Sequence, residues 1–445
     1  METVSTKDLK RVLGFGDLMS ASIGQIIGAG IMSLMGVAIA MTGRSAMLSF
    51  IIAAVLVIGT TLPAVFICGT LRLRGGDYTQ AALLGNTTFG GISMFLSFFT
   101  NVSLAMYALS FADYFLRFVP NVPSRLVAAL VFTLFWLLNM FGIDKFAKIQ
   151  NLIVIVMCIA LAMFAAFGVG KVQSGFFGQG FMTNGFLGLL QAASLLTFAT
   201  GGAMIIINLS GEAKNPTRDI PLVMIVSTIV VAVLYAFLAL VAAGVLPVEQ
   251  VAGKPLTQVA ETILPAPLFV FFIVGGAMFA LISTLNSQFA SCTKPMLQAS
   301  IDGWLPKKGF SYIHPRFKTP MIWLTIFYVL GLIPIITGLN IAEVANITVV
   351  ILNLMKLVIN FLLIRLPKVV PDAWEESRFK VSNGMLYFIA FISVLCGGVT
   401  IVLMISSSTP LIMALNCGML LVSIIYCVLR QKSGKVHMEV SYEVQ

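Results

Sequence analysis

The groups best suited to chemistry in this chain are backbone groups. Two glycine clusters stand in the middle of long apolar runs: Gly24-Gln25-Ile26-Ile27-Gly28-Ala29-Gly30-Ile31 and Phe198-Ala199-Thr200-Gly201-Gly202-Ala203. Each glycine weakens a helix by about 0.8–1.0 kcal/mol relative to alanine in water. A helix interrupted there exposes carbonyls at the end of one half and N–H groups at the start of the next. The N–H groups suit an anion and the carbonyls a cation, so two such breaks can hold a zwitterion without any charged side chain. A single glycine pair reads more readily as a surface where helices approach closely. Two clusters five helices apart, at corresponding positions, point instead to a transport site between inverted repeats.

Other chemistries are poorly supplied. The apolar runs hold no HExxH, no GxSxG and no clustered acids, so no enzymatic centre is expected. The two histidines, His314 and His437, fall outside those runs. The six cysteines (Cys68, Cys158, Cys292, Cys396, Cys417 and Cys427) form no CxxC pair and read as small buried hydrophobes. A channel would need a filter loop or a charged ring. The connecting segments are too short and bare for one; the longest outer segment, 247–266, reads as a gating helix-turn.

The elements that must position the clusters follow from composition. Of 445 residues, 59% are apolar and 10% charged, and the mean hydropathy is +1.02. So little charge cannot cover a water-soluble surface, and so much apolar surface excludes disorder. The chain is read as an all-α integral membrane protein. Runs long enough to span cover 14–40, 46–70, 90–118, 124–143, 147–170, 184–210, 221–246, 267–299, 320–337, 341–365, 384–405 and 409–430, twelve in all, numbered helices 1 to 12. With an inner N-terminus, the inner segments hold 20 of the 27 Lys and Arg residues and the outer ones 5. Both termini are therefore expected in the cytoplasm, and the net charge of +10 reflects orientation rather than a nucleic-acid partner. The expected organisation is a cytoplasmic tail 1–13, repeat one 14–170, repeat two 183–365, helices 11 and 12 over 384–430, and a cytoplasmic tail 431–445.

Four motifs in order make the chain resemble the amino acid–polyamine–organocation (APC) transporter family. Ile27-Gly28-Ala29-Gly30-Ile31 is similar to its helix 1 signature. Arg74-Gly75-Gly76-Asp77-Tyr78 is similar to the GG-x-Y segment after helix 2. Glu212-Ala213-Lys214-Asn215-Pro216 with Arg218-Asp219-Ile220-Pro221 resembles the run after helix 6. Asp302-Gly303-Trp304-Leu305-Pro306, His314-Pro315-Arg316 and Thr319-Pro320 resemble the loop after helix 8. The resemblance implies a LeuT-type five-plus-five inverted repeat with helices 1 and 6 broken at mid-membrane, and secondary-active amino acid transport by alternating access across the plasma membrane.

The resemblance also implies a substrate site of Ile26, Ile27, Gly28, Ala29, Gly30, Phe198, Ala199, Thr200 and Gly201. The N–H groups of Ala29 and Gly30 would meet the carboxylate. The carbonyls of Ile26, Phe198 and Gly201 would meet the ammonium, and Phe198 would close over the cargo. Several relatives have Ser where this chain has Ala29. Asn101, Ser103, Tyr107 and Asn286 are further pocket candidates. No acidic residue lies near either cluster in sequence, which favours neutral amino acids over cationic ones.

Many LeuT-type relatives hold sodium between helices 1 and 8. Here Gly24, Ile27, Ala280, Ser283 and Thr284 supply the matching oxygen set. Within the APC family a helix 5 Lys often replaces the ion; this chain has Met157 there. Sodium coupling, sodium-free exchange and proton linkage are all left open. No cofactor is expected beyond a coupling ion, and no partner beyond the cargo and the bilayer. Asp113 is expected to pair with Arg117, Lys294 and Lys356 to snorkel, Glu343 to sit at a helix start, and Pro63, Gly275 and Gly276 to serve as bend points.

Overall fold

The computed structural model describes residues 11–438 and 442–443 apart from 74, 179 and 339–340. The side chains of Ala29, Ser33, residues 143–146 and 341–349, Leu352, Ser407 and residues 442–443 also lie outside the description. Most of the expected tail 1–13, Arg74 of the GG-x-Y segment and the Glu343 side chain thus fall outside the described residues.

Helices form wherever the sequence is apolar for a dozen residues or more. Among the described residues, nine helical stretches are long and apolar enough to cross a bilayer. Two more, Ser124–Met140 and Met321–Thr337, are apolar but have 17 residues each. The protein is therefore an all-α integral membrane protein. The stretch Leu34–Thr70 joins the end of one expected span to the whole of the next. The chain turns between them in a short 3-10 segment, Gly43–Ser45, where Gly43 has φ +72°.

The first expected span consists of α1 (Phe15–Ile26) and α2 (Ala29–Thr42). Between them Ile27 has φ −83° and ψ 96°, and Gly28 φ −156° and ψ −140°, so the helical ladder is interrupted as expected. After α3 (Ala46–Thr70) come a strand, β1 (Arg72–Leu73), and a short helix, α4 (Asp77–Leu84). β1 pairs antiparallel with β2 (Tyr442–Glu443), tying the C-terminal segment to the loop after α3. The expected third helix is two, α5 (Thr87–Thr100) and α6 (Leu104–Phe115), joined by a 3-10 turn at Asn101–Ser103. α7 (Ser124–Met140) and α8 (Ile143–Val169) follow.

The second glycine cluster behaves differently from expectation. α9 (Gly185–Thr200) does not unwind at mid-span; from Gly201 to Leu209 the chain continues as a 3-10 helix. The ladder changes from i→i−4 to i→i−3 bonds and tightens. A 3-10 run of this length within a span is uncommon and marks a strained or hinge segment. α10 (Pro216–Gly244) starts at Pro216, whose missing N–H costs nothing in a first turn.

The segment expected to cap the outer side holds two short helices, α11 (Val248–Val251) and α12 (Thr257–Ile263). The Gly253 N–H donates to the Gly36 carbonyl of α2. A Cβ on Gly36 would lie 2.2 Å from the Lys254 carbonyl oxygen. Expected helix 8 begins as α13 (Ala266–Phe271), passes through a π-helical stretch, Phe272–Met278, and continues as α14 (Phe279–Ile301). Gly275 and Gly276 lie in the π stretch, whereas Pro63 lies inside α3. α15 (Lys307–Phe310), α16 (Met321–Thr337) and α17 (Ile341–Leu362) come next. α1 packs against α8, α10, α14 and the 3-10 segment, which places the first break at the centre of the bundle.

Candidate functional site

The two glycine clusters meet because glycine lets backbone rest on backbone. A Cβ on Gly30 would lie 2.4 Å from the Ala199 Cα, and one on Gly202 would lie 2.7 Å from the Gln25 carbonyl carbon. Real Cβ contacts are essentially never this close, so no larger residue fits either seam. Beside the seam lies a cavity of about 170 Å³.

Eight of the expected pocket residues line this cavity: Ile26, Gly28, Gly30, Asn101, Ser103, Tyr107, Phe198 and Gly201. At its wall are the first-turn N–H groups of α2, which have no acceptors within their own helix. Gln25, Gln288 and Asn101 add a polar belt. Gln25 Nε2 donates to Gln288 Oε1 at 2.8 Å, and Gln288 Nε2 donates to Asn101 Oδ1 at 2.8 Å. Asn101 Nδ2 donates to the Ser97 carbonyl at 2.8 Å. Gln25 Oε1 is buried without a hydrogen-bond partner among the described residues.

The other expected residues do not line the cavity. Ala199 lies beneath Gly30, and the Thr200 hydroxyl donates to the Leu196 carbonyl at 3.1 Å. The Ala29 backbone starts α2, but its side chain is outside the described residues. The Ile26 carbonyl already accepts from Tyr235 Oη at 2.7 Å, leaving its second lone pair. Asn286 is turned away, accepting from Asn139 Nδ2 at 3.0 Å and donating to Gln150 Oε1 at 3.3 Å. Its partners on α7 and α8 satisfy it before any cargo could.

The expected ion site does gather its oxygens. Thr284 Oγ1 is 2.8 Å from the Gly24 carbonyl, 3.0 Å from that of Ile27 and 3.0 Å from that of Ala280; Ser283 Oγ is 3.3 Å from the Gly24 carbonyl. A nitrogen shares the space, however. Gln150 Nε2 of α8 donates to Ser283 Oγ at 2.6 Å, and a Cβ on Gly24 would lie 2.1 Å from that nitrogen. Met157 is buried two turns further along α8. A cation repels an amide N–H donor, so the residues present do not fit a sodium ion unless Gln150 swings away.

Charged residues that the sequence reading passed over enter the cavity wall. Asp77 and Lys356 both line it, together with Gln80 and Asn208. Lys356 therefore does not snorkel away from the bundle. Asp77 belongs to α4, outside the spans, and burial pushes its carboxyl up to about 6 against the opposing pull of Lys356 and the Asn208 amide. Asp77 N–H donates to Asn208 Oδ1 at 3.0 Å, fixing α4 to the 3-10 segment. Gly76 makes that approach feasible: it has φ +55°, and a Cβ there would lie 1.8 Å from Asn208 Oδ1. The GG-x-Y motif pointed to Asp77, but nothing in sequence linked it to Lys356, nearly 280 positions away.

Two further charged residues pair in other ways than expected. Lys294 makes a buried ion pair with Glu212 at 2.8 Å. Arg117 pairs with Glu261 of α12, not with Asp113. The loop motifs lock one another as well. Tyr78 Oη donates to Asp302 Oδ2 at 2.5 Å, and Trp304 Nε1 donates to Tyr78 Oη at 3.1 Å.

An interrupted helix inside a bundle of spans, with the first turn of its second half beside a polar cavity, is the geometry of a multi-pass membrane carrier. Comparison with known proteins places it. The amino acid permease family matches residues 13–428, and the chain belongs to that family. It is 29% identical to the branched-chain amino acid permease BcaP of Bacillus subtilis (strain 168), over 72% of this chain and 73% of that protein. It is 26% identical to a methylthioribose transporter of the same organism, over 78% of this chain and 80% of that one. It is 23% identical to the serine/threonine exchanger SteT, also of that organism, over 73% and 76%. The chain is thus an amino acid permease by family, in a multi-pass membrane fold.

Proposed function

We propose that the protein moves neutral L-amino acids across the plasma membrane by alternating access, with both termini in the cytoplasm and without sodium. The observation that carries this reading is the break at Ile27–Gly28, which presents the first turn of α2 to the cavity. A carboxylate accepts from the N–H groups of Ala29 and Gly30, where the helix dipole favours negative charge. The ammonium lies against the carbonyls of Ile26, Phe198 and Gly201 and within reach of Gln25 Oε1. Phe198 lines the same cavity and covers the cargo. In the LeuT-type pairing of 14–170 with 183–365, helices 1, 2, 6 and 7 move against helices 3, 4, 8 and 9.

Neutral cargo is supported by the wall charges, since Asp77 and Lys356 are of opposite sign and cancel. Two relatives, named for branched-chain amino acids and for serine and threonine, agree with a neutral side chain. Freedom from sodium is supported by the Gln150 amide in the ion site. A second reading, cargo without an amino acid head group, draws on the relative named as a methylthioribose transporter.

Purified protein in proteoliposomes, assayed with each of the twenty amino acids, tests the proposal. Saturable uptake of neutral amino acids, competed by unlabelled cargo and unchanged when choline replaces sodium, is expected. Uptake of none of them, or of lysine and arginine only, overturns the substrate assignment.

A further inference from the structure

The part of the cavity wall contributed by α4 and α17 has chemistry that the central site does not use. Asp77 and Lys356 face the same space from α4 and α17. No ion pair within 4.0 Å joins them among the described residues. In a buried setting a lone charge is costly and normally finds a partner. Here a carboxylate and an ammonium are held near enough to feel each other but are not in contact.

Gln80 lies one turn along α4 from Asp77. It is 1% exposed and lines the cavity, yet both amide atoms lack a hydrogen-bond partner among the described residues. An amide left bare at both ends costs about 1–3 kcal/mol per unsatisfied group, and it offers one acceptor and one donor pair. The wall therefore presents an anion, a cation, a free acceptor and a free donor to one space. A second zwitterion satisfies all four: its ammonium meets Asp77 and Gln80 Oε1, and its carboxylate meets Lys356 and Gln80 Nε2.

We propose that Asp77, Gln80 and Lys356 form a second zwitterion-binding subsite, occupied by cargo on its way between the glycine seam and the face that bears β1 and β2. The subsite rests on the reading of the cargo as an amino acid. Asn208 gives it a mechanical link. This residue lines the cavity from the 3-10 segment, accepts from the Asp77 N–H and reaches Asp77 Oδ2 at 3.4 Å. Cargo that draws on Asp77 therefore pulls on the segment below the second glycine cluster, and filling the subsite loosens the central one.

Equilibrium binding of radiolabelled L-leucine, or of the amino acid that the uptake panel ranks first, tests this on the full chain in lipid nanodiscs. The wild type is expected to bind two molecules per chain, and Asp77→Asn with Lys356→Met to bind one. Gln80→Leu, which keeps both charges and the approximate size, serves as the second variant. It is expected to keep two sites, with affinity at the weaker one lowered at least about tenfold; size-exclusion profiles verify folding of each variant. A wild type that binds one molecule, or a double variant that still binds two, overturns the subsite and leaves the central site intact. Binding of no amino acid at any concentration overturns the cargo reading and the subsite together.

Discussion

The side-chain nitrogen of Gln150 lies 2.6 Å from the hydroxyl oxygen of Ser283, inside the set of oxygens contributed by Gly24, Ile27, Ala280 and Thr284. A neutral donor thus sits where a coupling cation would have to bind. Replacing sodium by choline should change initial uptake rates less than about twofold, within the range of a salt effect on exposed charge. Gln150→Glu should reverse this behaviour. It replaces the donor by a carboxylate, so transport becomes dependent on a cation, read as uptake stimulated by sodium or by low external pH. A variant indifferent to both would show that the amide is not a stand-in.

Gly30 and Gly202 carry the packing of the two glycine clusters. Gly30→Ala should lower uptake at least about tenfold, because its methyl must force apart α2 and α9, and a methyl overpacked into a core costs about 1–3 kcal/mol. Ala199→Gly in the same chain should restore part of the loss, since it removes Cβ, one of the two Ala199 carbons that stand 2.4 Å from the new methyl. Uptake per molecule of surface-labelled protein is the measurement. Full activity of Gly30→Ala would refute the seam as a constraint.

Glu212 and Lys294 form a buried ion pair, with side-chain exposures of 2% and 6%. Lys294→Met should destabilise the protein by about 3–5 kcal/mol, because it strands a buried carboxylate. The double variant Glu212→Gln, Lys294→Met should recover most of that. Thermal melts of purified protein, compared as a double-mutant cycle, give the coupling between the two.

Asp77 sets a pH dependence. Burial raises its carboxyl, and Lys356 of α17 and Asn208 of the 3-10 segment pull the other way; the Cys68 thiol of α3 is the further titratable group near it. The second bound zwitterion needs the carboxylate form, present above about 6 and lost below it. Binding should fall from two molecules per chain to one as pH drops through that value. Lys356→Met removes an attraction that favours the charged form, so a fluorescence or NMR titration of Asp77 should move to higher pH in that variant.

How much of this could be read from residues alone depends on distance along the chain. The break at Ile27–Gly28 was legible because glycines mark it locally and four motifs framed it. Gly201 and Gly202 were legible as a special place but not as a 3-10 helix, since tightening of pitch depends on what α1 packs against it and not on residue type. Gln150 escaped notice because Met157, seven residues on, shares its helix face; two turns, about 10.5 Å, decide which one reaches Ser283. Asp77 and Lys356 could not be joined by any pattern of spacing, because only the packing of α4 on α17 brings them to one cavity. Asn286 was misplaced for a related reason: which face of α14 looks inward is set by its partners Asn139 and Gln150.

The contact of Gly30 with Ala199 and of Gly202 with Gln25 makes the central site a gauge with fixed jaws. The jaws are main chain on both sides, and main chain held in helices has no rotamers with which to take up slack. On the proposed function, the head group that fits carries its two ends on a single carbon. Inserting one methylene between them, as in β-alanine, asks the jaws to part against a rigid stop. On that reading, length of the head group, and not identity of the side chain, is the property this seam inspects first.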